Sequence, residues 1–178
     1  MKLFQAIATT AGGVWLGGMV LMAIVASTTF GVMRTTGVEH PDGIAGQVMA
    51  KNFARFDTVQ MICAGVLVAW QIAHMALGGR HGRDWLRLGL IVAAAGLLAY
   101  SVRVLTPQIT DLQPALQSAD PDVAMKAAFD KFHNTAVRIS KINLSLLLVI
   151  VVEMALPRKP EAAAHTLPGD DDAARLQT

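Results

Sequence analysis

Between residues 3 and 33 the chain carries no Asp, Glu, Lys, Arg or His. A helix rises 1.5 Å per residue, so roughly 20 apolar residues cross a hydrocarbon core of about 30 Å. This stretch crosses it with length to spare. Lys2, the apolar run and Ala26-Ser27-Thr28 also fit a secretory signal peptide, but the run is about twice the usual length of such a core. Three further apolar stretches follow, and the pattern predicts membrane spans at about 4–30, 58–79, 84–106 and 139–156. The second is uncharged except for His74, and the third stops ahead of Pro107. The fourth is the shortest: Lys141 must snorkel at one end, and Glu153 sits at the opposite interface.

The connections differ in kind. Gly78-Gly79-Arg80-His81-Gly82-Arg83 is a tight turn that makes spans two and three antiparallel neighbours. Residues 43–57 read as an amphipathic helix leading into span two, with Ile44, Val48, Phe53 and Phe56 as its apolar members. Asp120-Pro121 is a helix start, with Asp as N-cap and Pro at the first helical position. No breaker follows until Pro157, which predicts a helix of about 36 residues, or roughly 54 Å. The predicted fold is therefore all-α: an integral membrane four-helix bundle whose long helices extend beyond the bilayer on one side. It occupies one domain, 1–157, followed by a disordered polar tail over 158–178.

Composition supports the lipid setting. The chain is 53% hydrophobic and 16% charged, with mean hydropathy +0.46, against about 25% charged residues in a soluble domain. A net charge of +2 without an Arg-rich stretch argues against a nucleic-acid partner. The single cysteine, Cys63, lies inside an apolar stretch and reads as a small buried hydrophobe. Lys and Arg near the short turn and the termini place the termini in the cytoplasm, and we expect a bacterial inner membrane.

With even-numbered spans, Arg34, Asp57, Arg103, His133, Arg138 and Lys141 fall at one face of the membrane and form a charged belt. Asn134, Arg138, Lys141 and Ser145 recur at helical spacing as one polar stripe. Charges at this depth are costly unless paired, so Asp57 is expected to pair with one or more of the arginines. The same belt also has the chemistry of an anion or headgroup site. His40 and His133 share that face with several carboxylates and are the only candidate metal ligands, though without a ligand spacing. His74 lies at the other face, where only His81 is available as a companion. No catalytic motif, cofactor fingerprint or mid-span charge appears. For helix packing, Gly13 and Gly17 form a GxxxG pattern in span one, and Gly96 sits in a small-residue run of span three. We expect them to face neighbours within the bundle.

Several segments together resemble the transmembrane protein 205-like family, a four-span membrane domain of unknown function. They are Phe30-Gly31-Val32-Met33-Arg34, Gly43-Ile44-Ala45-Gly46-Gln47 leading to Phe53 and Phe56, Arg103-Val104-Leu105-Thr106-Pro107, and Phe129 to His133 with Asn143. Met33-Arg34 stands where the family often has Phe-Arg, and Thr106-Pro107 where it often has Glu-Pro. The resemblance implies a four-helix membrane fold and no settled activity. We expect a multi-pass membrane protein without catalytic activity or cofactor, acting as an accessory subunit or scaffold. Its expected partners are the bilayer and either a second copy or a larger membrane complex. The alternatives are a metal- or cofactor-binding protein using His133 and His40, or a small-anion transporter using the Arg/Lys belt.

Overall fold

A computed structural model of the chain describes residues 2–78, 81–113 and 122–156. Helix α1 spans Lys2–Thr35, α2 Pro41–Ala76 and α3 Gly82–Tyr100. A π-helical turn over Ser101–Leu105 then joins α3 to the short α4, Thr106–Leu112, and α5 covers Val123–Ala155. Four helices are long and apolar enough to cross a membrane, the third being α3 continued through α4. The protein is a multi-pass, all-helical membrane bundle, and the expected fold class holds. The tail over 158–178 lies outside the described residues.

The long helices pack in a ring in which α1 touches α2 and α5, and α3 touches the same two. One end of the bundle carries the α2–α3 turn and the end of α5, and is called here the turn end. At the other, the projecting end, α2 and α5 begin. At 36 and 33 residues, these two helices are roughly 54 and 50 Å long, which exceeds a hydrocarbon core of about 30 Å. Helices of that length extend past the hydrocarbon core.

Two boundaries differ from the sequence reading. The cap of α5 is Asp122, whose Oδ1 accepts from the Ala124 N–H at 2.9 Å. Asp120 and Pro121, the expected start, lie outside the described residues. The third span also does not stop at Pro107. Proline has no N–H to give the carbonyl four residues back, that of Arg103, and its ring crowds that carbonyl. The chain answers by widening one turn: the Thr106 N–H bonds to the Ser101 carbonyl, five residues back. Helix α4 then carries Pro107 in its first turn.

The core is drawn from Ala8 and Trp15 of α1, Cys63, Ala64 and Leu67 of α2, Ile91, Ala94 and Leu98 of α3, and Leu147, Ile150 and Met154 of α5. In α3 and α5 these positions step by three and four, the spacing of a knobs-into-holes seam. The glycines that permit close approach are not the expected ones. A Cβ on Gly12 would lie 3.2 Å from Val151 Cγ2, and one on Gly18 would overlap the Phe56 ring. A Cβ on Gly13, Gly17 or Gly96 would meet nothing within 4 Å. The GxxxG pattern therefore faces away from the bundle. Trp15 sets this phase: it is fully buried and points the Gly12 and Gly18 side of α1 inward.

Candidate functional site

The two ends of the bundle hold polar residues of different character. At the turn end the inward seam continues in polar residues, Gln71 and His74 on α2 and Asp84 and Arg87 on α3, all four buried. Asp84 contacts Gln71 and His74 among them. Its Oδ1 lies 3.3 Å from His74 Nε2, and its Oδ2 lies 3.6 Å from His81 Nδ1. Oδ2 also accepts from the His81 N–H at 3.3 Å and so caps α3. Gln71 Nε2 donates to the Asp84 carbonyl at 2.9 Å. The Trp70 ring stacks on His74, with centroids 5.8 Å apart, and lies 5.6 Å from the Arg87 guanidinium. Helix α5 joins through Glu153, which pairs with Arg83 and offers its carbonyl to Arg87. Three helices are thus tied together at one level.

At the projecting end the charges stand apart. Asp57 does not pair with an arginine among the described residues. It is half-buried, and its Oδ1 accepts from Gln60 Nε2 at 3.3 Å. Gln60 Oε1 in turn accepts from the buried Trp15 indole at 2.8 Å. This line from Trp15 through Gln60 fixes Asp57 from inside the bundle. Arg34 pairs instead with Asp42, eight residues on, where Nε donates to Oδ1 at 2.8 Å across an exposed turn. The expected pairing fails because α2 begins at Pro41 and so brings Asp42 to the end of α1, while Asp57 lies several turns further along. Arg103, Arg138 and Lys141 are exposed and form no ion pair among the described residues.

Of the belt residues, Asp57 and Arg103 are brought together. They line one open recess of about 390 Å³ between α2 and the π turn, with Ala54, Thr58, Met61, Val102 and Thr106 as the rest of its wall. The recess lies where the third span leaves α geometry, and such turns are frequent at functional sites. His40 is held in a left-handed conformation (φ 52°) ahead of Pro41 as the N-cap of α2. His133 is exposed and stacks on Phe129 one turn back, with centroids 5.6 Å apart. Among the described residues no group of three or more His, Cys, Asp or Glu is placed to hold a metal ion.

Sequence reasoning missed the His74–Asp84–Arg87 cluster. The signal was available: stepping back from Leu98, Ala94 and Ile91 by the same three and four reaches Arg87 and Asp84. It also missed the Trp15–Gln60–Asp57 line, and it named Asn143 only through the family resemblance; Asn143 is buried and continues the α5 seam one turn before Leu147.

Among protein families, one described as a domain of unknown function (DUF4149) matches residues 10–117, more than half of the chain. The matched segment runs from α1 through the π turn and α4 and ends before α5. No curated protein and no solved structure matches the chain.

Proposed function

The chain belongs to the DUF4149 family, and from that premise we propose that it is a non-catalytic accessory subunit of a larger membrane complex. One observation carries the reading. Gly13 and Gly17 face outward on α1, in a stripe with Ala6 and Thr10 that resumes at Thr28 and Gly31 beyond Leu21 and Ile24, all exposed at helical spacing. Small residues let helix backbones approach closely where lipid supplies no hydrophobic drive between helices. A stripe turned away from its own bundle suits a transmembrane helix of another subunit. Beyond Trp15, α1 has an 18-residue apolar window in which no residue is buried, against 39% in that of α2.

The test is co-purification in mild detergent. We expect a stoichiometric partner with the parent chain and its loss in the Gly13→Ile/Gly17→Ile variant, with the variant's own melting temperature unchanged. A parent chain that runs alone as a monomer overturns the proposal, and a homodimer assigns the same stripe to a second copy. The transporter and metal readings have less support: Arg103 shares its recess with a carboxylate, and among the described residues His40 and His133 join no group of three or more ligand side chains. We further propose a bacterial inner membrane with the turn end and termini in the cytoplasm, supported by Arg83 and Arg87 beside the short turn. A place near the transmembrane protein 205-like family is likewise a proposal, supported by the Phe129–His133 stack and the inward Asn143.

A further inference from the structure

We propose that the recess between α2 and the π turn binds the headgroup of a zwitterionic aminophospholipid, with Asp57 taking the ammonium and Arg103 the phosphate. Opposite charges line one recess, yet neither forms an ion pair with the other or with any described residue. Two such groups held apart in one recess suit a ligand that carries both signs a few bonds apart.

The depth is that of a headgroup. Along α2, Asp57 lies 17 residues before His74, roughly 26 Å at 1.5 Å per residue. Along the third span, Arg103 lies 19 residues after Asp84, roughly 28 Å by the same rise. Both separations match a hydrocarbon core of about 30 Å, which suits α2 and the third span crossing between the recess and the His74–Asp84 cluster. Helix α1, whose Gly18 meets Phe56 beside the recess, carries its uncharged run on to Met33. The exposed aromatics agree. Trp85 is 59% and Tyr100 45% exposed, each beside one of these two levels, where amphipathic rings settle at the boundary between lipid and water.

The recess is also built as a site. Asp57 is anchored through Oδ1 by Gln60 and Trp15, and its Oδ2 accepts no hydrogen bond from a described residue. Val102 and Met61 supply apolar wall for the glycerol and upper acyl carbons. Arg103 reaches the recess from the π turn, where the widened helix carries it. A primary ammonium donates N–H groups to a carboxylate and a choline nitrogen has none, which selects the aminophospholipid over its methylated counterpart.

The inference stands apart from the subunit reading and is tested by lipid retention. Full-length protein in detergent is exposed to phosphatidylethanolamine, phosphatidylcholine and phosphatidylglycerol of matched acyl chains. Bound lipid is then counted by native mass spectrometry. We expect phosphatidylethanolamine to be retained about fivefold or more over phosphatidylcholine. Asp57→Asn, which preserves the acceptor for Gln60, removes that preference. Arg103→Gln lowers retention of all three lipids, and Arg138→Gln, at the same end but outside the recess, changes nothing. Equal retention of the two zwitterionic lipids by the parent, or a preference that survives Asp57→Asn, overturns the proposal. If Asp57→Asn does not fold, Arg103→Gln decides, because undiminished retention in that exposed-site variant overturns it equally. Soluble O-phosphoethanolamine that displaces the bound lipid at equal concentration would assign the site to a free zwitterion and overturn the lipid assignment.

Discussion

The turn end and the projecting end of this bundle hold similar residue types and use them differently. At the turn end Asp84 is 4% exposed and is surrounded by His74, His81 and the Gln71 amide, with Arg87 beside them. At the projecting end Asp57 is half-buried, has one amide donor, and shares an open recess with an arginine that does not reach it. Burial explains the difference. A charge removed from water is retained only with partners in place, so the buried carboxylate is a structural tie. The open carboxylate keeps access to water and headgroups and can remain without a cation. Partner saturation therefore separates the enclosed carboxylate from the accessible one better than residue identity does.

Substitutions that ignore this distinction should fail by different amounts. Asp84→Ala removes the buried carboxylate that contacts His74 and His81 and caps α3. Losing a buried hydrogen-bonding partner of this kind costs about 1–3 kcal/mol, with the lost cap adding to it. We expect the largest drop in melting temperature in detergent from this variant, followed by circular dichroism. A drop no greater than that of Asp57→Asn would erase the contrast. Gly18→Ala comes next, because its methyl must displace the Phe56 ring, at roughly 1–3 kcal/mol for an overpacked contact. Gly17→Ala, one residue away but facing outward, should leave the melt unchanged. If the two alanine variants melt alike, the assigned phase of α1 is wrong.

Asp57→Asn should be milder, about 1 kcal/mol or less, since its amide oxygen still accepts from Gln60 and no ion pair is lost. Its signature is altered lipid retention at nearly unchanged melting temperature. Arg34→Ala is expected to be the smallest. It removes a bidentate pair with Asp42, but both side chains are well exposed to solvent, where such pairs contribute little. No shift in the melt is expected, and a clear loss would show that the α1–α2 turn is held by this pair after all.

The parts legible in the sequence and the parts that were not divide along one physical line. The spans and the overlong α2 and α5 followed from apolar length and from the spacing of breakers. The phase of α1 did not, because lipid is as apolar as the core and an all-apolar helix has no polar face to mark its outside. Gly12 and Gly18 were therefore indistinguishable from Gly13 and Gly17 until Trp15 was seen to be buried. Pro107 read as a terminator, since the sequence does not show that a π turn can re-satisfy the backbone. Asp57 read as an ion-pair partner because sequence sorts charges by depth and not by the face of the helix they occupy.

By itself, then, the sequence determined the solvent, the number of spans and their approximate ends. Those depend on composition summed along the chain against the thickness of a bilayer. Only the tertiary structure decided which carboxylate is enclosed, which glycines touch a neighbour and which two charges share a recess. Those depend on helix rotation, and in lipid that rotation is set by side-chain packing between helices rather than by a gradient from oil to water.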